Sequence, residues 1–482
     1  MKTLIKNLFL LFALIAGLGL IPAGLLTAQN ITNLHSFTAA SDGAYPSGGL
    51  VLLGNTLYGT ASGGGTNGNG TVFAVNTDGT GFTVLHAFTA LVNSTNSDGA
   101  NPQAGLLPSG DVLFGTTQNG GSGGNGTVFA LNTDGLYFTN LHSFTALSAP
   151  YYQGGTNSDG ANPVAGLILA DFITLYGTAE YGGTNGNGTV FALNVDGSDF
   201  TNVHNFAAYP AGLYSNSDGA NPHGGLILSG NTLCGTAANG GAGENGTVFA
   251  LNTDGTGFTN LYSFTALSPV NFNNNDGANP FAGLILSDST LYGTTHSGGT
   301  NDGGTVFAVT TNGTGFTNLH SFAGGSDGDN PYAGLISSGN TLFGTAGNGG
   351  NSFDGTLFAV TTNGVAFTTL HTFTSSPDGD SPHGDLILSG NTLYGTAESG
   401  GTNGSGMVFS LSLPTPQLTI ILSATNVVLT WPTNSLEFTL QSTTNLLPAA
   451  WNTNAPSPVV VNGQFIVTNL ISGTQQFFRL SQ

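Results

Sequence analysis

One short motif recurs seven times along the chain, and it constrains the fold more than any other feature. It has a Leu-aromatic-Gly-Thr core, repeated at intervals of 51 to 62 residues, with Cys234 replacing the aromatic residue in one copy. The seven copies begin at Leu57, Leu113, Leu175, Leu233, Leu291, Leu342 and Leu393. A repeat of this length indicates a chain built from similar supersecondary units.

Each unit divides into four strand-like runs. In the first copy these runs span residues 49–53, 56–61, 70–76 and 82–88. Gly54-Asn55 and Asp78-Gly79 suit tight hairpin turns, and a longer glycine-rich loop joins the middle two runs. Seven such four-stranded meanders predict an all-β fold, namely a seven-bladed β-propeller followed by a small β-sandwich. An open solenoid is the alternative, but the sequence shows no distinct capping repeats.

The phase of the repeat predicts how the propeller closes. The last unit ends after its third run, 406–412, and is followed by Pro414-Thr415-Pro416. A separate copy of the missing fourth run, 31–37, lies near the N-terminus. We predict that 31–37 pairs with 406–412 and completes the last blade, because closure removes the strand edges that an open array would expose.

The chain divides into three predicted segments. Residues 1–28 have the pattern of a signal peptide, with Lys2 and Lys6 before an apolar run and Ala28 at a suitable cleavage position. An uncleaved membrane anchor is the alternative for this segment. Residues 29–413 form the predicted propeller and 414–482 the sandwich. We therefore expect a protein that is secreted or displayed on the surface of a bacterial cell, with no transmembrane segment after signal removal.

The charge of the chain limits its partners. It contains 24 acidic residues and three basic ones, so its formal net charge is −21. Such a surface repels phosphate backbones and anionic lipid headgroups, which argues against nucleic acid as a partner. Neutral polar ligands, such as glycans or cell-surface components, and cations fit this charge better.

An aspartate and a histidine recur in almost every repeat. The aspartates are Asp42, Asp98, Asp159, Asp218, Asp276, Asp327 and Asp378. They could bind calcium, but each link between blades offers about one acid, whereas calcium takes six to eight oxygens. Hydrogen bonding of each aspartate within its own turn is the favoured interpretation. The histidines lie on separate blades, so we interpret them as structural. No other cofactor is expected.

Functional residues are expected where the repeats differ. After the proline of each link the chain carries Ser47, Gln103, Val164, His223, Phe281, Tyr332 and His383. Two positions after the Gly-Thr core it carries Ser62, Gln118, Glu180, Ala238, His296, Gly347 and Glu398. Both series should lie near the mouth of the central channel. The predicted ligand-binding residues are Glu180, His223, His296, Tyr332, His383 and Glu398, with the link residues Tyr151, Tyr152 and Tyr214.

These residues suggest two functions. Aromatic rings among polar groups suit sugars, so the leading hypothesis is a non-enzymatic binding scaffold, with glycan as the most plausible ligand. The alternative is a carbohydrate-active enzyme, a hydrolase or lyase, on the same face. No catalytic motif is present, although His383 and Glu398 lie within one blade and could act as a general acid and base. A purely structural surface repeat is a third possibility.

Two stretches carry a resemblance to a known family: 225–233, Gly-Leu-Ile-Leu-Ser-Gly-Asn-Thr-Leu, and 245–250, Asn-Gly-Thr-Val-Phe-Ala, preceded by Asp-Gly-Ala-Asn-Pro at 218–222. They resemble the GloVer tandem-repeat family of secreted bacterial proteins, which has no assigned activity to transfer. The C-terminal segment resembles a fibronectin type III-like sandwich, on Leu429-Thr430-Trp431 and the late strand 477–480.

Overall fold

The computed structural model describes residues 31–414, 417–423, 426–432, 438–446, 451–453, 457–461, 464–470 and 476–481. The predicted signal peptide, 1–28, lies outside the described residues. Contacts divide the chain into two compact units that meet at Leu413 and Pro414. Within the described ranges, the one helical element is a turn of 3-10 helix, Tyr151–Gln153. In the same ranges no helix is long and apolar enough to cross a membrane.

The first unit contains seven four-stranded antiparallel sheets, which we call blades 1 to 7. The innermost strands are Val51–Leu53 (β2), Leu107–Ser109 (β6), Ile168–Ala170 (β10), Ile227–Ser229 (β14), Ile285–Ser287 (β18), Ile336–Ser338 (β22) and Ile387–Ser389 (β26). The second strands are Thr56–Ala61 (β3), Val112–Thr117 (β7), Thr174–Ala179 (β11), Thr232–Ala237 (β15), Thr290–Thr295 (β19), Thr341–Ala346 (β23) and Thr392–Ala397 (β27).

The third strands are Thr71–Asn76 (β4), Thr127–Asn132 (β8), Thr189–Asn194 (β12), Thr247–Asn252 (β16), Thr305–Thr310 (β20), Thr356–Thr361 (β24) and Met407–Ser412 (β28). The outer strands are Thr83–Ala87 (β5), Thr139–Ser143 (β9), Thr201–Asn205 (β13), Thr259–Ser263 (β17), Thr317–Ser321 (β21), Phe367–Thr372 (β25) and Thr32–Ser36 (β1). Blade 7 takes its outer strand from the start of the propeller, and the other blades are continuous in sequence.

The middle strands are buried on both faces because each blade is covered by its two neighbours. In β3 and β4 nearly every residue is buried, and Leu57, Val72 and Phe73 have no exposed surface. Continuous apolar runs are typical of strands covered on both sides. The outer strand β5 begins with an exposed residue and is otherwise half-buried, which fits its place on the circumference.

The strand β1 closes the ring as the repeat phase predicts. It pairs antiparallel with β28, with Thr32 opposite Ser410 and Ser36 opposite Met407. The amide of Phe37 then donates to the carbonyl of Gly406 at 3.0 Å. Phe37 packs in one apolar cluster with residues of blade 1, so the first and last blades share a core.

A threonine hydrogen bond also joins each blade to the next. The Thr60 hydroxyl of blade 1 donates to the Ala104 carbonyl at 2.8 Å, and the Thr396 hydroxyl of blade 7 donates to the Gly48 carbonyl at 3.1 Å. Equivalent bonds are donated by Thr116, Thr178, Thr236 and Thr294. Thr345 is the exception, since its buried hydroxyl has no hydrogen-bond partner.

The second unit contains a four-stranded sheet in the order β29-β30-β33-β32 and the two-stranded pair β31-β34. These strands are Thr419–Ser423 (β29), Asn426–Pro432 (β30), Thr439–Thr443 (β31), Val459–Val461 (β32), Gln464–Leu470 (β33) and Phe477–Ser481 (β34). Its core packs Leu429, Trp431, Leu440 and Val467 together. The fibronectin type III-like assignment stays a prediction.

Candidate functional site

The ring of blades encloses a cavity of 570 Å³, which opens on the face that carries the links between blades. One residue from each link, immediately after its proline, lines this cavity. These residues are Ser47, Gln103, Val164, His223, Phe281, Tyr332 and His383. The predicted position of this series at the channel mouth therefore agrees with the structure, and Ser62 and Glu398 from the second series line the same cavity.

Blades 4 to 7 bring six of these variable residues into contact, and we call them the mouth cluster. They are His223, Phe281, His296, Tyr332, His383 and Glu398. Tyr332 is at its centre, stacked on Phe281 with ring centroids 5.1 Å apart and tilted against His383 at 4.8 Å. His223 and His296 meet Tyr332 edge to face at 5.5 and 5.6 Å. The edge-to-face geometry is a favourable one for aromatic pairs.

Hydrogen bonds indicate which ring nitrogen of His223 carries a proton. Its Nδ1 lies 3.1 Å from the Phe281 carbonyl, which can only accept, so Nδ1 carries the proton. Its Nε2 then accepts from the Tyr332 hydroxyl at 3.4 Å. Burial, followed by the nearby carboxylates of Glu180 and Glu398, raises the pKa of Tyr332 to about 12. The phenol therefore stays protonated and acts as a donor.

His383 and Glu398 form the shortest polar contact of the cluster. The Nδ1 of His383 lies 2.5 Å from Oε2 of Glu398, as expected for two residues of one blade that face the same mouth. The opposite edge of the His383 imidazole lies over Gly347. A Cβ atom at position 347 would be only 2.7 Å from Nε2 of His383. The missing side chain at position 347 thus makes room for His383.

His296 is uncharged at neutral pH. Burial lowers its pKa to about 4, and the nearby His383 and His223 add to this effect, while Asp302 opposes it. Its ring meets Phe281 edge to face at 5.2 Å. The mouth cluster therefore presents aromatic rings with hydrogen-bonding edges, among which Tyr332 and His296 are uncharged at neutral pH, and Glu398 adds a carboxyl group.

Blades 1 to 3 give the other side of the mouth smaller and more polar residues. The Gln103 amide donates to the Gln118 side chain at 2.9 Å. Glu180 is on blade 3, whereas Glu398 is on blade 7 and is hydrogen-bonded to His383. Burial, followed by the Glu180 carboxylate, raises the pKa of the neighbouring Tyr181.

The predicted link aromatics lie outside the mouth cluster. Tyr151 stacks at a tilt on Tyr181 with centroids 4.5 Å apart, and it touches Tyr152 edge to face at 5.6 Å. Tyr152 and Tyr214 are 73% and 72% exposed. Tyr151 therefore lies beside Tyr181, which follows Glu180 in the sequence. Tyr214 instead pairs with Tyr209 in the next link.

The repeated aspartates and histidines form six hydrogen-bonded pairs, and Asp276 is the one repeated aspartate without a histidine partner. Asp98 accepts from His86 Nε2 at 3.0 Å, from the Thr89 amide at 3.0 Å and from the Thr89 hydroxyl. For Asp98 the predicted donors within the aspartate's own turn are thus replaced by donors on the outer strand and at the start of the link. In the short links the backbone donors to Asp42, Asp327 and Asp378 lie four residues before the aspartate, as a turn would place them. Tyr262, which stands where the other repeats have histidine, donates to Asp276 at 2.7 Å.

Six of these seven rings, all except His371, also stack on a phenylalanine of the following blade. His86 stacks on Phe138 at 3.9 Å and Tyr262 stacks on Phe316 at 3.9 Å. With their oxygens engaged in this way, the seven aspartates are parts of the links between blades. The described residues contain no group of three or more His, Cys, Asp or Glu side chains placed to hold a metal ion.

Three residues of the site were missed by reasoning from the sequence. Phe281 was recognised as variable but not as a contact of Tyr332, and Gly347 was not recognised as the space for His383. Asp385 also lines the cavity, at a position where the other six repeats have glycine. A position-by-position comparison of the repeats would have singled out Asp385.

These features define a β-propeller with a candidate ligand site at one mouth of its central channel. The chain belongs to the Gloeobacter/Verrucomicrobia repeat family, whose matches span residues 20–208, 150–269 and 266–447. A comparison with curated proteins gave no match.

Several solved structures are similar to this chain. An oligogalacturonate lyase in complex with manganese is 10% identical, with 80% of this chain and 93% of that chain covered at a TM-score of 0.50. An oligogalacturonate lyase from Vibrio parahaemolyticus is 11% identical over 81% and 93% of the two chains, with a TM-score of 0.44. A puromycin hydrolase is 13% identical over 84% and 61%, with a TM-score of 0.47. At such identities the similarity shows the fold alone.

Proposed function

We propose that this chain is a secreted or cell-surface binding protein without enzymatic activity, and that its mouth cluster binds a glycan. The observation that carries the proposal is the packing of four rings around Tyr332, three of which line the central cavity. Phe281 stacks on Tyr332, and three imidazoles from blades 4, 5 and 7 contact it. Sites of this kind combine apolar rings with a few polar groups that orient the ligand.

The chemistry of the cluster favours a sugar over other small ligands. A sugar ring has an apolar face edged with hydroxyls, and it can stack on Tyr332 or Phe281 while bonding to the imidazoles. Tyr332 keeps its phenolic proton and His296 stays neutral, so both offer hydrogen bonds without a charge. Residues 31–413 contain no Lys or Arg, so an acidic sugar would find no cationic partner in this unit.

The remaining parts of the chain support such a role. The exposed rings of Tyr152 and Tyr214 could contact a longer chain of sugars beyond the mouth. The C-terminal unit, as a fibronectin type III-like sandwich, would act as a spacer or attachment domain. A signal peptide at 1–28 would deliver the protein to the outside of the cell.

A glycan-array screen of the whole chain tests this proposal. The wild type should bind one class of glycan, and Tyr332→Ala should reduce that binding at least tenfold by removing the central ring of the cluster. Tyr137→Ala is the matched control, because Tyr137 is 78% exposed in a turn of blade 2 between its third and outer strands, away from the links. Absence of binding to every glycan would refute the proposal.

The enzymatic alternative is favoured by one specific contact. A carboxylate 2.5 Å from His383 Nδ1 would hold the proton on that nitrogen and leave Nε2 as a base. Release of products from polysaccharides by the wild type, and its loss in both His383→Ala and Glu398→Gln, would establish catalysis. Binding without product release would favour the scaffold.

A further inference from the structure

Seven equivalent backbone positions form a ring around the channel. Each lies two residues before the innermost strand of its blade. Six of them are glycines and the seventh is Asp385. The glycines are Gly49, Gly105, Gly166, Gly225, Gly283 and Gly334. All seven line the cavity that contains the mouth cluster. Asp385 is therefore the one side chain that this ring places in the channel.

The ring is narrow, so a side chain at one of the glycine positions would come close to the backbone of a neighbouring blade. A side-chain carbon at Gly105 would lie 3.0 Å from the Gly49 carbonyl oxygen, and one at Gly283 would lie 3.1 Å from the Gly225 carbonyl oxygen. One at Gly49 would lie 2.9 Å from Cβ of Asp385. The carboxylate thus occupies space between blades 1 and 6 that the glycines leave open.

Asp385 accepts a hydrogen bond from the backbone but has no Lys or Arg partner in residues 31–413. The Gly334 amide donates to its Oδ1 at 2.6 Å, and this is the one hydrogen bond to the carboxylate within the described residues. The side chain is exposed in the channel lumen, and partial desolvation of the carboxyl group by the surrounding protein raises its pKa. No Lys or Arg occurs anywhere in residues 31–413. A carboxylate in such surroundings gains most from a cation that comes from outside.

The junction beside Asp385 is also irregular. Thr345 of blade 6 is 1% exposed and lacks the hydrogen bond that its six counterparts donate to the following blade. The carbonyl equivalent to their acceptors belongs to Gly384, next to Asp385 in sequence. Blades 6 and 7 are instead joined by the bond from Gly334 to Asp385. The repeat geometry is thus altered at the point where the carboxylate enters the channel.

We propose that Asp385 binds the ammonium group of an amino sugar whose ring is held by the mouth cluster. This inference rests on the proposed function and names its ligand class as a glycan with free, positively charged amino groups. A bond from an ammonium group to a fixed carboxylate is of the strong, charge-assisted kind. Glu398 adds a second negative charge to the same cavity, and the aromatic faces of Tyr332 and Phe281 also attract cations.

Calorimetric titration of the whole chain with two matched oligosaccharides tests the inference. One is a tetramer of glucosamine and the other is the tetramer of N-acetylglucosamine, which has the same backbone without the charge. The wild type should bind the amine form at least about tenfold more tightly, which is the effect of one hydrogen bond to a charged group. Asp385→Gly should lose most of this preference, and only the weaker attraction of the remaining cavity for a cation should be left.

Asp385→Gly should change the channel without disturbing the fold. It restores the residue found at the six equivalent positions, so the fold should be retained, and the melting temperature should stay the same or rise. Asp111→Asn is the control for general attraction to an acidic protein. Asp111 is exposed in the turn of blade 2 where blades 1, 4, 6 and 7 have asparagine. It should keep the preference of the wild type.

The results also separate this inference from the proposed function. Binding of glycans with no preference for the amine, or a preference that is undiminished in Asp385→Gly, would overturn the inference and leave the proposed function intact. If Asp385→Gly lost the ability to bind calcium and kept the preference for the amine, the inference would be overturned as well. If no oligosaccharide binds to the wild type, both fail.

Discussion

Replacement of Phe37 by alanine tests the closure of the propeller. Phe37 is fully buried, and its ring lies 5.1 Å from Phe73 and 5.8 Å from Phe82 of blade 1. Truncation of a buried phenylalanine usually costs about 3–5 kcal/mol in free energy of unfolding. Because the ring is closed, we expect Phe37→Ala to cost as much as the same change inside the chain.

Phe144 of blade 2 is the matched position for this comparison. It is also fully buried, and its ring lies 5.3 Å from Phe191 and 5.9 Å from Phe200 of blade 3. Its amide donates to the Gly126 carbonyl at 3.0 Å, as that of Phe37 does to Gly406.

Urea denaturation followed by circular dichroism should therefore give the two variants losses within about 1 kcal/mol of each other, the accuracy to which equivalent sites compare. Hydrogen exchange of the Phe37 and Phe144 amides gives a second readout that does not depend on two-state unfolding. A cost below about 1 kcal/mol for Phe37→Ala, beside several for Phe144→Ala, would show that the N-terminal strand is not docked.

Three further predictions follow from the contacts between blades. Thr236→Val should destabilise the protein by about 1–3 kcal/mol, because it removes the hydrogen bond to the Ala282 carbonyl. Thr345→Val should be neutral or stabilising, because the buried Thr345 hydroxyl has no hydrogen-bond partner. Equal losses of stability in urea denaturation would contradict this. Burial lowers the pKa of His320, so the unfolded chain binds the proton first, and stability should fall as the pH drops from about 6.5 through the folded pKa. His320→Tyr, which copies Tyr262 of blade 4, should weaken this dependence, and an unchanged pH profile of the melting temperature would argue against it. Removal of calcium by a chelator should leave the melting temperature unchanged, because the oxygens of Asp98 already accept protein donors, and a fall of several degrees would indicate bound calcium.

The architecture was predictable because the repeat carries its information locally. Gly54-Asn55 and Asp78-Gly79 mark hairpins within a few residues, and the phase of seven copies identifies the strand that the last blade lacks. The residues 31–37 could therefore be assigned to a distant partner without any structural information. The register that pairs Thr32 with Ser410 follows from the same equivalence of repeats.

The site was only partly predictable because it depends on contacts between repeats. The residues after each proline could be located at the mouth, yet their distances depend on the curvature of the ring, which no single repeat encodes. The stacking of Tyr332 on Phe281 and the space above Gly347 are of this kind. The donors to Asp98 were misplaced for a similar reason, since they come from the outer strand and not from the turn itself.

The central claim is that Tyr332 organises a glycan site, and calorimetry of three proteins tests it most directly. Wild type, Tyr332→Ala and Tyr137→Ala would each be titrated with the oligosaccharide that gives the strongest signal on the array. We expect Tyr137→Ala to bind like the wild type and Tyr332→Ala to bind at least tenfold more weakly, while each variant still unfolds in one cooperative transition above the assay temperature. Equal affinities for all three proteins would place the ligand elsewhere and contradict the account.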